Sequence, residues 1–452
     1  MNRTARFAMA VVPVAALIGV VAANGESRFP KPREYTTMPA IALDAAAPDK
    51  TDEPFRVGPN RRIIRQPGAQ SETTIAVDPT NSEHLLAASN DLADSATVYE
   101  SFDGGRTWAQ TYEQTNFCYD PWLTFRANGD QFYAYECSGG AVQRVAYRLV
   151  GQPNWTEISL NNAGSFADRD MIVVDNHADS PFKDSVYIGY DDNGAGNIPY
   201  LLYSRTGTAN YIRTPDLNDT TQPTIGVNAA VCADGTVTAG WLEFNRNALV
   251  TSSSSDGGAN WGADVIAHNY LLNTPQFFIS IPPQPQRGIV PFPFLEAATD
   301  SAEFFPGRLY VTYTDRDADS TDTDVFARYS DDCGATWSAQ VEIDNEAGDD
   351  AYQFHPALTV GEDGTVYVSY YDTRHDPTSK TIHRWMAHSR DGGNTWINER
   401  MTTGPSDFSG AGDGNDTGDY QGTDARPGSG AWSIWTDRRS GNEDGVGAVA
   451  RP

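Results

Sequence analysis

Three arginines stand in one local setting: Thr314-Asp315-Arg316, Asp372-Thr373-Arg374 and Thr436-Asp437-Arg438. A guanidinium offers a planar fork of donors that matches a carboxylate, so three of them at one rim would clamp an acidic substrate. The same spacing lets each arginine pair with the acid beside it and tie its own turn, and both readings stand. Tyr420 and Glu72 bring different chemistry. A tyrosine is neutral until a nearby base takes its proton, so it can attack a centre that bears a carboxylate without the repulsion a carboxylate nucleophile would meet. Glu72 is the candidate base; packing for Tyr420 and a strand-start hydrogen bond for Glu72 are the plain alternatives. Asp120, Asp168 and Asp170 can supply a general acid, and such a group can equally hold calcium or solvate a rim. Arg169 and His355 complete the candidate substrate contacts. The run Asp315, Asp317, Asp319, Asp322 and Asp324 is dense enough for calcium but lacks the glycine and closing glutamate of an EF-hand loop. The histidines have no zinc spacing, since His383 and His388 would point to opposite faces of a strand.

Only a repeat could gather residues so far apart, and the chain has one. Ser101-Phe-Asp-Gly-Gly-Arg-Thr-Trp108 recurs as Ser254 to Trp261, Ser330 to Trp337 and Ser389 to Trp396. Ser204 to Tyr211 and Arg148 to Trp155 are worn copies in the same frame. An aspartate in a turn accepts nearby backbone N–H groups, the glycines supply conformations closed to other residues, and the tryptophan plugs the hairpin end. Ahead of each octad stand two short strand candidates, such as Thr74–Val77 with Leu85–Ala88 and Ala357–Val360 with Val366–Tyr370. Their nearly continuous apolar runs call for burial on both faces, as in sheets stacked around an axis. Seven such units can be counted, which predicts an all-β, seven-bladed propeller, with six blades as the alternative. The seventh lacks an octad and its outermost strand; a segment such as 61–65, ahead of the first blade, could supply it. Octad turns join strands three and four at one end, so inner-strand starts and second-strand ends meet at the other. Closure would make Tyr420 and Glu72 neighbours.

The octads, with blades such as Phe354 to Arg374, make residues 57–452 resemble the Asp-box (BNR repeat) sialidase-like superfamily of β-propellers. The resemblance implies a glycoside hydrolase of acidic sugars, with Tyr420 as nucleophile, Glu72 as its base, an aspartate (Asp120 or Asp168) as acid, and Arg169, Arg316, Arg374, Arg438 and His355 around the substrate. The superfamily's Arg-Ile-Pro element is absent; Arg65-Gln-Pro67 precedes the first inner strand, and Phe354-His355-Pro356 has histidine in the arginine's place. A propeller that binds glycan or protein without catalysis, and a polysaccharide lyase using His355 or Tyr420, are the competing functions.

The chain opens Met-Asn-Arg-Thr-Ala-Arg, followed by an apolar run from Phe7 to Ala23 with small residues at its end. That pattern predicts a signal peptide over 1–23 and export, secreted or periplasmic. Residues 24–56 are rich in proline, alanine and charge and read as a linker. The formal charge of -28 over 452 residues argues against nucleic acid and anionic lipid as partners and suits solubility outside the cell. An extracellular glycan or glycoconjugate, met by a monomer with no required cofactor, is the expected partner. Four cysteines in an exported chain permit disulfides. If Asn128-Gly129 turns a hairpin, Cys118 and Cys137 fall near one rim and can bridge, leaving Cys232 and Cys333 by elimination.

Overall fold

The computed structural model describes residues 55–451 apart from 65–67, 92–94, 116, 139, 161–165, 300, 319, 346–349, 412–415 and 429. The expected leader, nearly all of the expected linker, Arg65-Gln-Pro67 and Asp319 lie outside the described residues.

Seven antiparallel sheets follow one another around an axis, each inner strand touching the next, and the first (Gln70–Val77) meeting the last (Gly422–Ala425). The chain is a seven-bladed β-propeller. Burial explains the apolar runs: every residue is buried in the seven second strands, Leu85–Asp91, Gln131–Cys137, Val186–Asp192, Val237–Glu243, Leu309–Asp315, Val366–Asp372 and Ala431–Asp437. These strands are covered by neighbouring blades on both faces, so alternation has no solvent side to mark. The inner strand of blade five is Phe294–Ala297. Blade seven takes its outer strand from upstream: Arg56–Val57 pairs with Arg451 and Ala450, and Arg61–Arg62 with Gly447 and Val446. The two ends of the described chain are thus hydrogen-bonded into one sheet, which closes the ring.

The octads occupy equivalent turns between third and fourth strands. In the first, Ser101 Oγ donates to Asp103 Oδ1 (2.9 Å), Gly105 N to Ser101 Oγ (2.9 Å), Thr107 N to Asp103 Oδ1 (2.8 Å), and Trp108 Nε1 to Gly105 O (3.1 Å). Asp256, Asp332 and Asp391 repeat the serine and backbone contacts. In the worn third copy the Tyr211 hydroxyl donates to Gly207 O (2.8 Å), replacing the indole N–H.

Cys118 bridges Cys137 within blade two, and Cys232 bridges Cys333, joining blades four and five. One insertion breaks the repeat. Between Val265–Asn269 and Phe294–Ala297 lies a hairpin, Ile279–Ile281 with Gln284–Ile289, whose Ile281 and Ile289 share a core cluster with Phe354 and Tyr371 of blade six and Trp435 of blade seven.

Candidate functional site

The end opposite the octads is shaped by a repeated irregularity. In five inner strands the pairing skips two residues: between Ser71 and Thr74, Tyr119 and Trp122, Asp168 and Met171, Ile225 and Asn228, and Phe354 and Ala357. The first skipped residue is left-handed in every case: Glu72 (φ 53°), Asp120 (53°), Arg169 (62°), Gly226 (81°) and His355 (49°). Such bulges re-aim a side chain, and four non-glycine residues at positive φ mark stored strain. Counting back from the second strands puts Phe292 and Tyr420 at the same level in blades five and seven. The mouth therefore carries a crown of one residue per blade: Glu72, Asp120, Arg169, Gly226, Phe292, His355 and Tyr420.

Gly226 is the crown's gap, and it is needed. A Cβ there would collide with Arg169 Nη1 and Phe292 Cδ1. Arg169 fills that space, its guanidinium 3.6 Å from the Phe292 ring centroid and 5.5 Å from that of Tyr420. It is buried, yet none of its three side-chain nitrogens has a hydrogen-bond partner among the described residues. Burial pulls its pKa down to about 10, which leaves it charged. Trp122, Met171 and Phe294 floor the crown, with the Trp122 ring 5.5 Å from Tyr420 and 5.9 Å from Phe294.

Closure brings Glu72 to the segment that carries Tyr420, whose hydroxyl donates to Pro121 O at 3.5 Å. Asp419 N donates to Glu72 Oε1 (3.1 Å), and a Cβ on Gly418 would strike Glu72 Cγ. Asn90 holds Glu72 through its amide and accepts Asp120 N at 2.8 Å. Asp120 Oδ2 accepts Arg169 N at 3.0 Å, and Asp168 Oδ2 accepts Asn193 Nδ2 at 2.6 Å. Glu136, at the end of the blade-two second strand, faces the same group. Burial first, then repulsion from Asp120, pushes the Glu72, Glu136 and Asp168 carboxyls well above the usual range. The Tyr420 phenol is likewise pushed up by burial, Asp120 and Glu72, against the pull of Arg169. Asp120, Glu136 and Asp168 could hold a metal, since one oxygen from each lies within 4.8 Å of the others.

Several expectations change. Arg316, Arg374 and Arg438 form no shared clamp: Arg316 donates to Leu271 O and Ser320 O, Arg374 pairs with Asp372 over Trp385, and Arg438 pairs with Glu443 and donates to Asp407 O. Each fork lies between two nearby carbonyls or an acid of its own rim, so local pairing prevails. His355 is buried, and burial pushes its imidazole down to about 3. In the acidic run of blade five, Asp315 is turned away to accept from His268 Nε2 (2.6 Å) and Leu272 N (2.9 Å), while Asp324 accepts Asp317 N (3.3 Å).

Two residues escape sequence reading. Glu136 sits one place short of Cys137 inside an apolar run. Arg287 comes from the inserted hairpin and makes two bonds to Asp419 (3.0 and 2.6 Å), standing 3.9 Å from Glu72. Proline inside an inner strand, at Asp120-Pro121 and His355-Pro356, announces the crown's bulges but neither of these two residues.

No family model matches the sequence, and no curated relative matches it. Among solved structures the chain is similar to a protein of unknown function from Dyadobacter fermentans, at 12% identity and a TM-score of 0.46, covering 88% of this chain and 99% of that one. It is also similar to a Hadza microbial sialidase (14%, TM-score 0.43, 74% of this chain and 66% of that one). A third is an ulvan lyase from a polysaccharide lyase family (8%, TM-score 0.47, 85% and 95%). Likeness at this level leaves function to the site itself. Among the described residues no helix is long and apolar enough to cross a membrane.

Proposed function

We propose that the crown hydrolyses glycosidic bonds of acidic sugars, as a secreted sialidase-like hydrolase. The observation that carries this is the buried Arg169 guanidinium, unpartnered and beside Tyr420, with Glu72, Asp120 and Asp168 around them. A substrate carboxylate would satisfy Arg169 with a charge-assisted pair. Tyr420 Oη attacks the anomeric carbon, its proton passes to Glu72, and the bond to the leaving oxygen breaks as that oxygen takes a proton from Asp120 or Asp168. Water then displaces the tyrosine, giving one proton to the aspartate that protonated the leaving group, while the tyrosine oxygen recovers its proton from Glu72. A phenol pushed upward does not ionise in advance, so its proton leaves as the new bond forms. Asp168 is pushed upward, as a proton donor must be; Glu72 is pushed upward as well and acts as base in the molecules where it is ionised, the form that Arg287, 3.9 Å away, favours.

Clustering of Tyr420, Glu72 and an arginine favours hydrolysis over binding alone. An imidazole pushed to about 3 makes His355 a weak base, which counts against the lyase reading.

The test offers the purified protein sialosides and uronate polymers, following reducing ends and unsaturated products. Release of reducing sugar is expected, with Tyr420→Phe lowering kcat about 10³-fold at similar KM, and Arg169→Gln harming both. Full turnover by a folded Tyr420→Phe protein, or unsaturated products alone, would overturn the reading.

A further inference from the structure

The mouth gathers more oxygen than its cations can serve. Arg287 is bonded to Asp419, and Arg169 faces aromatic rings and donates only its backbone N–H to Asp120. Around Asp120 and Asp168 stand further oxygens with no protein donor. Glu136 is 6% exposed, and its Oε2 receives no hydrogen bond. Asp170 Oδ2 is buried and unpartnered, as is the Oε1 of Gln143, whose amide nitrogen holds Asp170. The Oδ1 of Asn193, whose amide nitrogen holds Asp168, is unpartnered too. Buried carboxylates without donors are costly unless a proton or a cation joins them.

Geometry favours the cation. The donor oxygens of Asp120, Glu136 and Asp168 all lie within 4.8 Å of one another. Calcium–oxygen bonds of about 2.4 Å put opposed ligands about 4.8 Å apart, so one ion can touch all three. The Glu136 carboxylate is the independent pointer: it comes from the second strand rather than the crown, and it ends among the other two with an oxygen nothing else uses. An all-oxygen, carboxylate-rich set suits a hard ion, and its irregular spacing suits calcium better than octahedral magnesium.

We propose that Asp120, Glu136 and Asp168 form a binding site for calcium at the junction of blades two and three. The proposal stands apart from the hydrolase reading, because binding is measured without substrate. If that reading also holds, calcium and the donated proton compete for Asp120 and Asp168, and calcium slows hydrolysis.

The experiment titrates calcium chloride into EDTA-stripped, desalted protein at physiological salt by calorimetry, with thermal unfolding in parallel. One saturable site is expected, with a melting temperature that climbs with calcium concentration. Glu136→Gln should weaken binding at least about tenfold, while Glu83→Gln, at the octad end, should leave it unchanged. Terbium, excited through protein aromatics and displaced by calcium, reads the same site in the unmutated protein, so a poorly folding variant does not decide the matter. Absence of a saturable site in both measurements, or binding that survives Glu136→Gln and so belongs to the acidic surface, overturns the proposal.

Discussion

At the octad end, Asp103 is held down to about 2 by the Thr107 backbone N–H and hydroxyl, and Asp256 to about 2 by the Asn260 side chain and backbone. At the mouth and along the axis the same kind of carboxyl is pushed the other way. Burial and then Asp424 raise Glu296 to about 8, and burial raises Asp424 to about 7; these two sit in blades five and seven, joined through Thr359. The difference is one of supply. The octad aspartates lie part-exposed at the surface and collect donors from within their own octad. At Glu296 and Asp424 burial outweighs the few bonds they accept, so it favours their protonated forms, whereas Asp419, bonded to Arg287, is held down. One end therefore uses ionised aspartate as a turn fastener, whereas the other stores chemical potential for binding or proton transfer.

The largest effect expected from this contrast is on pH. A carboxyl whose folded pKa is raised stabilises the fold below its unfolded value, and that contribution disappears as pH climbs through the folded value. For Glu296 the window runs from 4.5 to about 8, and for Asp424 from 3.8 to about 7. Urea unfolding in EDTA should show stability falling by on the order of 5 kcal/mol from about pH 5 to about pH 8, and Glu296→Gln should remove a large part of that slope. The octads act with opposite sign, losing their contribution as pH falls from 3.8 through about 2, where Asp103 and Asp256 take up protons. Stability that held constant or rose across the upper window would mean that Glu296 and Asp424 do not hold their protons in the fold.

A smaller effect is expected at Gly226. Alanine there must hold φ near 81° and push its methyl group into Arg169 and Phe292. Gly226→Ala should cost about 2 kcal/mol, read from the urea midpoint, and should displace the Arg169 guanidinium. Unchanged stability would argue that the mouth is as forgiving as an octad turn.

The same contrast explains what could be read from sequence. The octads were legible because their bonds run between residues at most four apart, so one string of letters encodes one geometry. The second strands were legible as apolar runs, and closure by residues upstream of Glu72 followed from a missing strand. The crown was legible only in part. Tyr420, Glu72, Asp120 and Arg169 fall at strand starts, but the bulges that turn them inward depend on pairing that alternation does not reveal. Arg287 was hidden because its segment, rich in proline, reads as a loop and its partner Asp419 is 132 positions away. Arg316, Arg374 and Arg438 misled for the converse reason: a repeated local pattern meant repeated local pairing.

The smallest expected effect tests whether an octad is as modular as that account requires. In the worn copy of blade three, Thr206 stands where the other octads have aspartate, and its hydroxyl makes only long contacts to Thr208, at 3.4 and 3.3 Å. The residue four places on is Asn210, which matches Asn260 in the fourth-blade octad, where both the backbone N–H (2.8 Å) and the amide (2.6 Å) donate to Asp256. Ser204 accepts Gly207 N at 3.0 Å, three residues on, where Ser254 accepts Gly258 N four residues on, and Asn210 is left-handed (φ 55°), so the turn is a variant of the octad's. Thr206→Asp should gain the two Asn210 bonds as the turn shifts toward the octad's conformation, and that shift offsets part of the gain. The site is exposed and the protein already acidic, so the gain should be modest, about 0.5–1 kcal/mol. It should appear as a raised urea midpoint with an unchanged slope, and it should vanish when Asn210→Ala is added, a loss that separates a restored fastener from a general change in charge. A variant no more stable than the parent would show that the octad's aspartate needs its glycine pair and tryptophan as well, and that the repeat works as a whole rather than residue by residue.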